Sequence, residues 1–216
     1  MSDTYQRLDM TNWSRRQHYQ FYQDFSQPYF SIGCDLNAAA LYNHCKAQHI
    51  SFFDAYLFMT MQAINTVEPL RYRLVDEQIR VYQSISISVA VMAADQTFRF
   101  CEVPYSADFT TFQRQLKQAK ATAINGPFFS DTFFTHQSNQ ATVYMSVIPW
   151  ISFTSFAHAR HGGTSTGIPL LAIGKMRQTD NTLPITVDAH HALVDGVHVG
   201  QFIEVLQGLF DGVEEV

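Results

Sequence analysis

"DAHHALVDGVHVGQF", residues 188–202, places three histidines and two aspartates among fifteen residues that are otherwise small and apolar. The stretch before it, "LPITV", is rich in β-branched residues, and the two together read as a strand. With a repeat of two, Ile185, Val187, Ala189 and His191 share one face, and Thr186, Asp188 and His190 share the other. The adjacent histidines therefore point to opposite sides, with His191 emerging from the apolar one. After Gly196 the period changes. Val199, Phe202, Ile203, Leu206 and Phe210 mark the apolar stripe of a C-terminal helix. The histidines thus sit at a strand-to-helix corner, where a rigid scaffold often presents functional groups.

Upstream, the pattern alternates between helix and strand signals. "LNAAALYNHCKAQHI" predicts a helix capped by Asp35 or Asn37, and "SFFDAYLFMTMQAINTV" a second one capped by Ser51. "SADFTTFQRQLKQAKATA" predicts a third, with Phe109, Phe112, Leu116 and Ala119 on one stripe. The β-branched runs "QIRVYQSISISVAVMA", "TFRFCEV", "ATVYMSVIPWISFTSF" and "IPLLAIGKM" predict strands. "HARHGGTSTG", 158–167, reads as a loop. No internal repeat or linker divides the chain, so residues 1–216 are expected to form a single domain of the α/β (α+β) class, a mixed sheet with helices packed on it.

Composition narrows the partners. The chain is 46% hydrophobic and 15% charged, with 18 phenylalanines and 10 tyrosines, enough aromatic surface for a core, a subunit interface or an aromatic pocket. A net charge of -5 without a Lys/Arg run argues against nucleic acid and against anionic membrane surfaces. Cys34, Cys45 and Cys101 are an odd number at wide spacings, which fits reduced thiols better than a disulfide framework. The N-terminal residues lack an apolar signal core, and no window suits a membrane span. A soluble, cytoplasmic protein is expected.

The histidine cluster admits three readings. The histidines can be satisfied core residues. His191, Asp195 and His198 can be metal ligands, although Gly196 separates them and no carboxylate stands ready to orient an imidazole. Or a neutral imidazole on an apolar wall can act as general base toward a hydroxyl attacking a carbonyl.

Here the residues resemble a known family. "HHALVDGVHV", 190–199, resembles the H-H-x-x-x-D-G-x-H-V signature of the chloramphenicol acetyltransferases. "NWSRRQHYQFY" at 12–22, "VPYSADF" at 103–109 and "SVIPWISFTSF" at 146–156 resemble further family elements, in the family's order. The resemblance implies a homotrimer whose sheet extends between subunits, with each active site at an interface. It implies acetyl-CoA as co-substrate, no permanently bound cofactor and no metal. His191 would be the general base, and Ser146 the hydroxyl that stabilises the tetrahedral oxyanion. Asp195 would pair with Arg15 to hold the corner.

By the same resemblance, Tyr22, Phe30, Phe98 and Phe133 fall at acceptor-pocket positions, and Phe53, Lys175 and Met176 near the coenzyme. Four departures bear on the acceptor. Phe100 stands where the family has a small residue, Ile87 and Val89 where it has polar ones, and Ala172 where it has a threonine. The Asn-Val after "FTSF" is replaced in "AHARHGG". The implied activity is O-acetylation of chloramphenicol. The same chemistry on another hydroxyl or amine acceptor, or a catalytically silent trimeric binding protein, are its rivals.

Overall fold

The structure, a computed structural model, describes residues 4–130, 134, 140–160, 166–213 and 216. It is a mixed α/β fold. A six-stranded sheet runs in the order β2-β9-β8-β7-β5-β6, and a three-stranded sheet in the order β1-β4-β3. The large sheet comprises β2 (Tyr29–Asn37), β5 (Ser86–Met92), β6 (Phe98–Val103), β7 (Thr142–Ile148), β8 (Leu170–Gly174) and β9 (Thr182–His190). The small one comprises β1 (Tyr5–Arg7), β3 (Tyr72–Val75) and β4 (Gln78–Tyr82). The helices are α1 (Arg16–Tyr22), α2 (Ala39–Gln48), α3 (Phe52–Thr66), α4 (Phe109–Asn125) and α5 (Gly196–Gly212), with a 3₁₀ turn over Glu68–Arg71.

The central strands β5, β7 and β8 run parallel to one another, whereas β6, β9 and β2 join antiparallel. Parallel pairs need covered faces, and the sequence supplies that cover. Ile87, Val89, Ile173, Ile185 and Val187 form one apolar core with Leu57, Phe58, Phe112, Phe202 and Phe210 of the helices. The predicted cap holds on α3, where Ser51 accepts the Asp54 N–H, and α4 has a cap of its own in Asp108, which accepts from Thr111. On α2, Asn37 Oδ1 accepts the Ala39 N–H at 3.0 Å, while Asp35 lies inside β2.

Three elements differ from the sequence reading. The run 78–93 is two strands in different sheets, parted at Gln83–Ile85. The predicted long strand 141–156 ends at Ile148, because Pro149 supplies no amide hydrogen. The chain beyond it crosses over the end of β8, and Ile151 O accepts the Lys175 N–H at 2.9 Å. A Cβ on Gly174 would lie 2.7 Å from Pro184 Cγ and 3.0 Å from Ile151 O, so the crossing requires glycine there. The third is β2, whose edge position and mixed polarity hide it from pattern reading. Among the described residues no helix is long and apolar enough to cross a membrane.

Phe202 is 0% exposed, on the face of α5 that closes the core. Phe202→Ala is expected to lower stability by about 3–5 kcal/mol. In denaturant titration this should move the midpoint down at unchanged slope.

Candidate active site

The three histidines of the opening motif have three different surroundings. His190 ends β9 and is 2% exposed. Its Nδ1 accepts the Ala192 N–H at 3.2 Å, and its ring meets Tyr29 edge-on at 5.2 Å. Burial, with the nearby Arg160 charge, lowers its pKa to about 4, so it is a neutral core residue. His198 is part of the α5 cap: its Nδ1 accepts the Asp195 N–H at 3.0 Å, while Asp195 as N-cap accepts from Gly196 at 2.6 Å. Burial also lowers the His198 pKa.

His191 is the histidine without a structural partner for its ring nitrogens. Its backbone N–H donates to Pro28 O at 2.7 Å. Its ring stacks on Tyr22 at 4.2 Å with 7° between planes, and Phe30 lies 4.6 Å away. Nδ1 is buried with no hydrogen bond among the described residues, which leaves Nε2 as the accessible nitrogen.

Arg15 fixes the corner that carries this ring. It donates to Asp195 Oδ2 at 2.7 Å, to His191 O at 2.8 Å and to Val194 O at 3.4 Å. One planar fork thereby holds both ends of the 191–195 turn. The hydrogen bond from Arg15 is the main reason that the Asp195 pKa is lowered. With Asp195 committed to Arg15 and to the helix cap, and His198 to the cap, the proposed ligand triad of His191, Asp195 and His198 is already in use. Among the described residues no group of three His, Cys, Asp or Glu side chains is placed to hold a metal ion.

The remaining candidates line a separate cleft of about 1670 Å³. Ser146, Phe98 and Phe100 face it from the sheet, and Phe53, Lys175 and Met176 face it from the other end. The Ser146 hydroxyl has no hydrogen bond among the described residues, so it is available as a donor. Phe98 and Phe100 meet edge-on at 5.3 Å, and both pack on Phe128. Lys120, which the sequence reading overlooked, brings its ammonium to 5.5 Å from the Phe53 ring centroid. Its only sequence signal is a place on the polar side of α4.

None of Arg15, Tyr22, Phe30, His191 and Asp195 lines that cleft. Within one chain the candidate base and the candidate oxyanion donor are apart. Phe133 lies outside the described residues.

One expectation about the acceptor wall is corrected. Ile87 and Val89 are both 0% exposed and point into the helix-covered core. The cleft side of β5 is instead Ser88, Ala90 and Met92, a one-residue shift that exchanges the faces of a strand. Ala172 is also 0% exposed, between Ser146 and Thr186 in one cross-strand row.

A second polar group was not foreseen as a unit. Asp188, fully buried, is bonded by Ser31, by His158 Nδ1 at 3.0 Å and by Arg160 at 2.8 Å. Burial opposes its charge, but the His158 and Ser31 hydrogen bonds and the Arg160 charge prevail and lower its pKa.

The family model for chloramphenicol acetyltransferase matches residues 3–207. "Chloramphenicol acetyltransferase 3" of Escherichia coli is 28% identical over 210 residues, covering 95% of this chain and 96% of that protein. The chloramphenicol acetyltransferase of Staphylococcus aureus is 25% identical, covering 96% of each. A solved chloramphenicol acetyltransferase superposes with a TM-score of 0.86 at 25% identity, over 96% of this chain and all of that one. The cubic core of the pyruvate dehydrogenase multienzyme complex shares the fold, with a TM-score of 0.63 at 15% identity. A strand-to-helix corner bearing an accessible imidazole, beside an aromatic cleft with an unengaged serine, defines an acyltransferase scaffold. This chain belongs to the chloramphenicol acetyltransferase family.

Two outcomes follow for stability. Because the His190 pKa is lowered in the fold, the unfolded chain binds a proton that the folded one does not between about pH 6.5 and about pH 4. Stability is thus fully present above that window and falls as pH drops through it, by at most about 1.4 kcal/mol per pH unit for this group. His190→Gln should flatten that part of a stability–pH curve. Asp195 works lower: its stabilisation is present above the ordinary carboxylate range and disappears as pH falls through its lowered value. Asp195→Asn should remove that acid-limb slope and reduce stability at neutral pH, measured by thermal unfolding.

Proposed function

We propose that the protein is an acetyl-CoA-dependent O-acetyltransferase with chloramphenicol as acceptor, built from residues 1–216 as one domain. It acts in the cytoplasm as a homotrimer and needs no permanently bound cofactor. The observation that carries this reading is the division of the site. The accessible Nε2 of His191 and the unengaged Ser146 hydroxyl belong to different regions of one chain, and a neighbouring chain would supply the missing half to each. The exposed Phe21, Phe25, Trp150 and Ile151 are available to an interface between chains.

In this reading the acceptor hydroxyl gives its proton to His191 Nε2 as its oxygen attacks the thioester carbonyl. Ser146 donates a hydrogen bond to the resulting oxyanion. The tetrahedral adduct then collapses, the C–S bond breaks, and the imidazolium returns the proton to the departing sulfur. The products are the O-acetyl acceptor and CoA, with no acyl-enzyme. Arg15 and Asp195 keep the corner in place. Tyr22, Phe30, Phe98, Phe100 and Phe133 bound the acceptor. Phe53 and Met176 flank the coenzyme's base, and Lys175, with Lys120 nearby, suits its phosphates.

A second reading keeps this chemistry but changes the acceptor, favoured by Phe100 and by His158 on the cleft wall, which is held from behind by Asp188.

The test is chloramphenicol-dependent release of CoA thiol from acetyl-CoA. His191→Ala should reduce it by about 10²–10⁴-fold, and Ser146→Ala by about 10²–10³-fold, both with the wild-type fold. Co-refolding equal amounts of the two inactive variants should restore about a quarter of the sites, because a mixed trimer pairs an intact histidine with an intact serine across some interfaces. A site contained in one chain gives no such recovery, and a wild-type rate in His191→Ala removes that residue as base.

A further inference from the structure

One cross-strand row of the large sheet, four of whose members line the cleft, is rich in polar residues that the proposed reaction does not use. Glu102, Ser88, Tyr144, Leu170, Asp188 and Ser31 stand side by side across all six strands, and five of the six are polar. Next to it runs the row that contains Ser146, Ala172, Thr186 and Gly33. The two rows share a sheet face, because residues paired across strands point the same way and alternate residues along a strand do too.

His158 stands over this row. Its Nδ1 is 3.0 Å from Asp188 Oδ2 on β9, and its Nε2 is 3.1 Å from Leu171 O on β8. The strand beyond β8 is β7, which carries Ser146, so one strand spacing of about 4.8 Å separates the imidazole's anchor from the serine's strand. The His158 side chain is 9% exposed and lines the cleft. Phe156 packs edge-on against it at 4.8 Å and lines the cleft as well.

Charge sets what this wall prefers. A carboxylate and a backbone carbonyl both only accept hydrogen bonds, so the ring makes its two bonds together when both nitrogens carry hydrogen. Arg160 binds the same carboxylate oxygen at 2.8 Å and lies over the Tyr29 ring at 3.9 Å. The Arg160 guanidinium and the His158 ring then face one carboxylate, and a ring that donates from both nitrogens gives this cluster one more positive charge than negative. Glu102, the other acidic member of the row, lies on β6 at the opposite edge of the sheet.

We propose that His158, held by Asp188 and Arg160, is a specificity-determining residue that makes the acceptor end of the cleft favour a hydroxylated molecule bearing a negative charge. This rests on the acyl-transfer reading and names the class of acceptor within it. His158 takes no part in the proton transfer. It fixes the electrostatic potential of the wall that the acceptor's non-reacting flank meets.

The experiment measures equilibrium binding to the CoA-saturated protein of three probes of one shape. They are chloramphenicol, its analogue with an oxalyl group in place of dichloroacetyl (anionic), and its free amine (cationic). In wild type the oxalyl analogue should bind about tenfold more tightly than the amine, and in His158→Leu and His158→Gln the ratio should fall to within about twofold. An unchanged ratio in either folded variant overturns the proposal. So does a wild-type protein that prefers the amine, a result that needs no variant. CoA thiol release is read in parallel. Turnover without charge selectivity sinks this proposal alone, and charge selectivity without turnover on any probe sinks the acyl-transfer reading.

Discussion

Strand β9 is buried on both faces, and most of the molecule's chemistry follows from that constraint. Apart from Thr182, all of its residues are shielded from solvent. One face can be apolar, and Leu183, Ile185, Val187 and Ala189 supply that face to the helices. The other carries Thr186, Asp188 and His190, and the two ionisable ones have to be accommodated inside the protein. His190 answers by remaining neutral. Asp188 answers by drawing in Ser31, His158 and Arg160. Beyond the strand, the chain turns into α5 under the hold of Arg15, and the turn leaves the His191 ring between Tyr22 and Phe30 with one nitrogen accessible.

Buried charge is handled in three ways here. Arg15 meets a carboxylate and two carbonyls at a partly exposed corner, where direction matters more than burial. Asp188 is met by the Arg160 guanidinium, the His158 ring and the Ser31 hydroxyl. Arg73 has no carboxylate partner: it is 0% exposed and donates to the carbonyls of Leu70, Tyr72, Gln140 and Thr142. Burial lowers its pKa to about 10, still far above neutrality. The carbonyl oxygens together replace the water that its guanidinium gives up, and they bind the small sheet to the start of β7. Only the first two arrangements lie near the candidate site.

Much of the site was legible because short motifs carry local rules. The alternation along 182–190 aimed His191 away from His190, Ser51 announced the start of α3, and the stripe after Gly196 gave α5. What periodicity does not carry was lost. Ile87 and Val89 were matched to polar acceptor-side positions by the family resemblance, yet the face of a strand depends on a single residue of register. The edge strand β2 has three successive exposed residues, Ser31 to Gly33, few β-branched residues and a glycine, so its pairing with β9 supplies what its composition does not announce. His158 was read as part of a loop, because a ring that finds its partners on two other strands leaves no mark at its own place in the sequence.

The pairing of β2 with β9 also has a history in time. Tyr29 lies opposite His190 and Asn37 opposite Thr182, so β2 leaves the ribosome long before the strand it pairs with in the sheet exists. At roughly 5–20 residues per second, the wait is on the order of ten seconds. Throughout it, the strand that brings Phe30 to the imidazole is an unpaired edge. Its sequence suits that interval. Gly33 and Asp35 interrupt the apolar run, and mixed polarity discourages adhesion to other nascent chains. The same irregularity that hides β2 from pattern reading keeps it soluble until its partner is made.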